Sequence, residues 1–136
     1  MDTVSVHVRS EIMRRVRSRD TGPEMIVRRL IHSMGFRYRL HARHLPGTPD
    51  LVFANRRKAI FVHGCFWHGH SCEGGELPAS NSRYWQEKQK RNVFRDRRNM
   101  RALSRSGWRT LVIWECELRN MEKTLKRLLT FLNGTA

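Results

Sequence analysis

Between Val62 and Cys72 the chain reads Val-His-Gly-Cys-Phe-Trp-His-Gly-His-Ser-Cys, crowding three histidines, two cysteines and two adjacent aromatics together. Cys65-x4-His70-x-Cys72 offers three soft ligands, and a structural zinc site closes with four. Cys116 completes the set if the strand before it runs parallel to the strand before Cys65. Its plainer role is a small buried hydrophobe, common for free cysteine. Magnesium takes oxygen ligands, which leaves His63 and His68 free for other work. A neutral imidazole, with an ordinary pKa of about 6.5, suits drawing a proton from water near neutral pH. Asp50 begins one strand and His63 ends another, so both reach one rim of a sheet if those strands are antiparallel. A carboxylate there can hold a metal against a phosphate. Asp96 can hold an imidazole, or a water on the metal, from behind. The plainer readings make Asp50 a turn residue and Asp96 the partner of a neighbouring Arg.

Phe66 and Trp67 are neighbours on a loop and cannot both turn easily into a core. An exposed ring beside basic surface reads as a stacking platform or a wedge between bases. Two rings shielding the metal site is the alternative.

The elements that position these residues follow from periodicity. Thr21-Gly22-Pro23-Glu24 has the pattern of a capping box with Pro in the first turn. The helix after it aligns Ile26, Val27, Leu30, Ile31 and Met34, and Gly35 stops it. Phe36, Tyr38 and Leu40 alternate with arginines, as in a half-exposed strand. Asp50 opens a strand through Ala54, a basic turn spans Asn55 to Lys58, and residues 59–62 form a third strand. A long basic helix is expected from Arg83 to Ser106, with Trp85, Asn92, Asp96, Met100 and Leu103 near one face. An acid on that stripe is unusual. Trp108 to Trp114 is a fourth strand, and a last helix carries Leu125, Leu128, Leu129 and Leu132. The order predicts an α/β sandwich with a mixed central sheet flanked by helices.

With 136 residues, 27 Lys and Arg against 12 acids, and a formal charge of +15, the chain is one small, strongly basic domain. Most of the excess is Arg, whose planar fork suits phosphate. A polyanion partner is expected, nucleic acid first, and a ribosomal-type basic surface is the bland equivalent. No long apolar stretch or signal-peptide pattern occurs, so a soluble cytoplasmic protein without a membrane partner is expected. An odd cysteine count argues against a disulfide framework. Metal, imidazoles and basic charge together suggest phosphodiester hydrolysis.

His-Gly-Cys-Phe-Trp-His-x-His-x-Cys, with Pro49-Asp50 upstream and Trp114-Glu115-Cys116 downstream, resembles the very-short-patch-repair (Vsr) DNA mismatch endonucleases. So do Arg9-Ser10 with Met13, Arg19 to Thr21, and Asn92-x-x-Arg95-Asp96. The resemblance implies a restriction-endonuclease-like core with a structural zinc. It implies a magnesium-dependent enzyme of the bacterial cytoplasm that nicks duplex DNA 5′ to the thymine of a thymine–guanine mispair left by deaminated 5-methylcytosine. Residues 1–20 would form a DNA-clamping arm and 21–136 the endonuclease domain, in a monomer that accessory repair proteins could join. Asp50 and the backbone carbonyl of Val62 would hold magnesium. His63 and His68 would serve hydrolysis, His68 as general base, with Asp96 behind and Glu24 close by. Cys65, His70, Cys72 and Cys116 would bind zinc. Phe66, Trp67 and Trp85 would wedge into the DNA from the major groove, and Met13 and Val16 would pack from the minor groove.

Three features depart from expectation, the mildest being a short segment after the last strand, which bears on DNA affinity and not on the active centre. Phe61 and His63 stand where the wider nuclease superfamily often has an acid and a lysine, a departure the family shares. Gly69 stands where another histidine is expected. The alternatives are a nicking enzyme of broader mismatch specificity and a zinc-stapled nucleic-acid-binding domain without catalysis.

Overall fold

A computed structural model describes residues 22–72 and 77–134. The proposed arm, with Met13 and Val16, lies outside the described residues, as does Thr21 of the capping box. Helix α1 (Gly22–Ser33) leads into strand β1 (Arg39–Leu40), and β2 (Leu51–Phe53) and β3 (Lys58–His63) follow. Helix α2 (Ser82–Arg105) then crosses to β4 (Arg109–Trp114), and α3 (Met121–Asn133) ends the fold. The sheet runs β1-β2-β3-β4, antiparallel for the first two pairings and parallel for β3 with β4. The result is a mixed α/β fold with the expected element order.

Strand alternation divides the sheet into two faces. Leu51, Phe53, Ile60 and Ile113 form one buried cluster with Val27 and Ile31 of α1 and Leu128 and Leu132 of α3. Ala59, Phe61 and His63 alternate with Ile60 and Val62 along β3 and so face the opposite side. Helix α1 closes with Gly35 at φ +88°, which lets Phe36 N–H reach back to Ile31 O at 3.3 Å. Gly107, at φ +83°, ends α2 in the same way, with Trp108 N–H on Leu103 O at 3.0 Å. Only a residue without Cβ takes this turn at little cost.

Several boundaries differ from the sequence reading. The strand expected over Phe36 to Leu40 contracts to two paired residues, because Phe36 and Tyr38 pack into the core instead. Ile26 is exposed, since the buried stripe of α1 runs through Glu24, Val27 and Ile31. A short 3-10 turn, Glu115–Arg119, follows β4 and carries Cys116. Asn120 then caps α3 by accepting from Lys123 N–H at 3.2 Å.

Lys58, read as the last residue of a basic turn, is instead a buried residue of β3. Its Nζ donates to the carbonyls of Phe131 (2.6 Å), Leu132 (3.2 Å) and Gly134 (2.6 Å). A cation thus closes the negative end of α3 and satisfies carbonyls that have no helical partner. Lys58→Met keeps the stem but strands these acceptors, and is expected to cost about 2 kcal/mol. Urea unfolding at neutral pH measures this, and an unchanged midpoint contradicts it.

Candidate active site and metal centre

The parallel register pairs His63 with Trp114, so Cys65 and Cys116 each lie two residues past a paired position. They meet at one rim. Ligand atoms of Cys65, His70, Cys72 and Cys116 all lie within 4.8 Å of one another. Cys116 Sγ is 3.5 Å from His70 Nδ1. Tetrahedral zinc, with bonds of about 2.3 Å to sulfur and about 2.0 Å to nitrogen, separates such a pair by roughly 3.5 Å. Three thiols and an imidazole therefore fit a tetrahedral ion in both donor type and spacing. Burial pushes the Cys65 thiol up to about 12 and raises Cys116 as well. A bound cation reverses that preference. His70 also stacks on Trp114, with ring centroids 4.1 Å apart.

Beside this group, helix α2 holds the loop residue by residue. Gln89 Nε2 donates to Phe66 O (2.7 Å) and Asn92 Nδ2 to Trp67 O (2.6 Å). His68 Nδ1–H donates to Asp96 Oδ2 at 2.5 Å. Three side chains on one helical face thus grip three consecutive residues. Gly69 comes next, at φ +61°, where a Cβ would sit 3.2 Å from Val93 Cγ2. Close approach of α2 and a left-handed backbone both favour glycine, which accounts for its place in the histidine run.

With Asp96 as acceptor, the His68 proton sits on Nδ1 and Nε2 presents a lone pair. The His68 ring lies flat on His63, centroids 3.7 Å apart and planes 2° apart. His63, His68 and Asp96 form a second group with ligand atoms within 4.8 Å. Burial holds the His63 imidazole down at about 3; His68 acts in the same sense and Asp96 opposes it.

Asp50 falls in a third group, with Glu24 and His41. The two groups meet along β3: Val62 N–H donates to Asp50 Oδ2 at 2.7 Å, and His63 is the next residue. Glu24 is 2% exposed, His41 Nε2 lies 2.8 Å from its Oε2, and Arg28 Nη1 is 3.6 Å from the same oxygen. Burial pushes the Asp50 carboxyl up to about 7; the Val62 N–H pulls it down, and Glu24 raises it through charge and hydrogen bonding. Closely spaced carboxyls under this strain suit a hard divalent cation.

His41 had no role in the sequence reading, because it sits in a loop without periodicity. Glu24 entered only through the family resemblance. An acid in line with an apolar stripe, the signal noted for Asp96, also marks Glu24. Phe66, Trp67 and Trp85 gather edge to face, with centroids 5.1, 5.4 and 5.9 Å apart. Tyr84, 52% exposed, joins Trp85 at 5.0 Å. Lys88 Nζ lies over the Trp67, Tyr84 and Trp85 rings at 5.7, 5.8 and 5.9 Å. Neither Tyr84 nor Lys88 was singled out by sequence.

The raised Asp50 value has a stability consequence. Its neutral form favours folding below the ordinary carboxylate range, and that advantage is lost as pH rises through about 7. The lowered His63 value acts in the opposite sense: its contribution is present above the ordinary imidazole range and is lost as pH falls. Without added divalent cation, Asp50→Asn is expected to be more stable than the parent chain at about pH 8, with the gap closing by about pH 4. Urea unfolding at both pH values reads this, and a pH-independent gap contradicts it.

A family model described as DNA mismatch endonuclease Vsr matches residues 1–74. The chain is 49% identical over 132 residues to type II nicking enzyme V.XorIIP of Xanthomonas oryzae pv. oryzae, covering 97% of each. It is 40% identical over 127 residues to type II nicking enzyme V.NmeAIP of Neisseria meningitidis, covering 93% of this chain and 91% of that one. It is 43% identical over 122 residues to DNA mismatch endonuclease Vsr of Escherichia coli, covering 90% of this chain and 78% of that one. The chain belongs to the Vsr family of DNA mismatch endonucleases.

Proposed function

We propose that this chain is a magnesium-dependent endonuclease that nicks duplex DNA 5′ to the thymine of a thymine–guanine mispair. In this reading the core is restriction-endonuclease-like and zinc staples the rim. The single observation that carries the reading is the His68–Asp96 pair, stacked on His63 one residue beyond the Val62 N–H that binds Asp50. A base, its orienting acid and a carboxylate site thus lie along one strand end, the arrangement that hydrolysis of a phosphodiester needs.

Asp50 and the Val62 carbonyl would hold magnesium, which supplies positive charge against the developing phosphorane. Asp96 fixes the His68 tautomer, and His68 Nε2 takes the proton as the oxygen of a water adds to phosphorus. One P–O ester bond breaks, and the leaving oxygen takes its proton from solvent. His63, held neutral by burial, stacks on the His68 ring and adds no positive charge that would oppose proton uptake there. Cys65, His70, Cys72 and Cys116 would hold zinc and so keep the loop seated on α2.

Selection of a mispair follows from stacking. Groove hydrogen bonds discriminate by only about 1–3 kcal/mol per base pair. Unstacking costs a few kcal/mol, and less where pairing is already imperfect, while each base–aromatic stack returns roughly 1–3 kcal/mol. Phe66, Trp67 and Trp85 inserted together offset the distortion at a weak pair and leave it marginal at a sound one. The charge of +15 supplies affinity without sequence. A second reading is a nicking endonuclease of the same family with broader mismatch specificity, in keeping with relatives that are named as nicking enzymes.

A nicking assay on end-labelled duplexes tests the reading. Cutting of thymine–guanine DNA is expected with magnesium and not without it, at least about 100-fold slower in Asp50→Ala and His68→Ala. Equal cutting of all mispairs selects the broader reading, and undiminished nicking by Asp50→Ala removes the catalytic assignment. Phe66→Ala and Trp67→Ala are each expected to reduce preference for mismatched over matched duplex about tenfold, with little loss of nonspecific binding. An equal loss on both duplexes contradicts the wedge.

The chain should also carry about one zinc by atomic absorption, and Cys116→Ala should carry less than about half as much. Full retention in the variant returns Cys116 to a packing role.

A further inference from the structure

We propose that His41 is a positioning residue of the nicking centre, fixing the Glu24 carboxylate and thereby setting the divalent-cation affinity of Asp50. The inference rests on the reading of Asp50 as the cation's ligand.

Four features converge on His41. Its backbone is left-handed, at φ +46°, a conformation that residues other than glycine adopt rarely and that clusters at functional sites. Its N–H donates to Asp50 O at 3.1 Å, so the strained residue is tied to the main chain of the proposed ligand. Its Nε2–H donates to Glu24 Oε2 at 2.8 Å, with the His41 side chain 10% and the Glu24 side chain 2% exposed. Ligand atoms of Glu24, His41 and Asp50 lie within 4.8 Å of one another.

A buried carboxylate beside a second one needs a compensating donor. Arg28, at 3.6 Å, approaches the same oxygen from the next turn of α1, while His41 approaches from the loop that leads into Asp50. Asp50 is therefore anchored from both sides, through its carbonyl by His41 and through its carboxylate by Val62. Glu24 is held in register with it. His41 acts through Glu24 and does not bind the ion itself, because its Nε2 is engaged and magnesium takes oxygen in preference to nitrogen.

Groups that orient metal-binding side chains typically contribute about 10–100-fold in affinity. The test is Mn2+ binding to the full chain, loaded with zinc and read by electron paramagnetic resonance, together with the magnesium dependence of nicking. His41→Leu is expected to weaken Mn2+ binding about tenfold and to shift the magnesium half-saturation equally, with kcat at saturating magnesium within about threefold of the parent. His41→Gln, which can still donate to Glu24, is expected to restore most of the affinity. In a Glu24→Gln background, His41→Leu is expected to add nothing further. Wild-type Mn2+ affinity in His41→Leu overturns the proposal. Equal weakness of His41→Gln and His41→Leu also overturns it, because the imidazole would then be a ligand in its own right. Unchanged Mn2+ binding in Asp50→Asn overturns the underlying reading of Asp50 and is distinct from both.

Discussion

The parallel pairing of β3 with β4 is the constraint from which the rest of the architecture follows. Parallel neighbours cannot be joined by a tight turn, so a crossover is required, and here it contains α2. The same register brings the exits of both strands to one rim, where residues two positions past His63 and Trp114 are cysteines. The crossover helix then lies against the loop leaving β3 and offers Gln89, Asn92 and Asp96 in line. A slip of one residue would turn His63 toward the hydrophobic cluster and separate Cys65 from Cys116. The candidate metal-ligand group, the imidazole pair and the aromatic group thus share one geometric origin.

The rim also concentrates electrostatic cost. Asp50 and Glu24 crowd two carboxyls, His63 is buried as a neutral ring, and two thiols are driven toward protonation. Buried side-chain polar atoms among the described residues all have hydrogen-bond partners: Lys58 closes α3, and Thr124 Oγ1 donates to Glu117 O at 2.7 Å. Proteins break local rules of burial and charge mainly where function requires it. Here the groups held off their ordinary charge are those that a divalent cation or a substrate phosphate would relieve.

Much of the site was legible because ligand chemistry has short-range signatures. The Cys-x4-His-x-Cys spacing, the apolar run before it and the acid on the stripe of α2 need no tertiary information. The two strand-direction conditions, antiparallel for Asp50 with His63 and parallel for Cys65 with Cys116, could be stated from sequence, and both directions are present. His41 was not legible. Its importance comes from a left-handed turn that swings a loop imidazole onto a residue 17 positions earlier. Lys58 was hidden for a related reason, since its acceptors lie more than 70 positions later. Tyr84 and Lys88 belong to an aromatic group assembled from two elements, and an amphipathic pattern on α2 alone gives them an ordinary exposed role. The two-residue β1 shows tertiary packing overriding alternation.

The central claim is that one strand end presents a carboxylate cation site and a pair of imidazoles to the same phosphodiester. Paramagnetic broadening tests this proximity directly. In a chain with 15N-labelled histidine rings, Mn2+ added below stoichiometry is predicted to broaden the signals of His41, His63 and His68 first and to leave exposed His32, on α1, sharp. Broadening of His32 ahead of His63 and His68 would place the cation elsewhere and contradict the account.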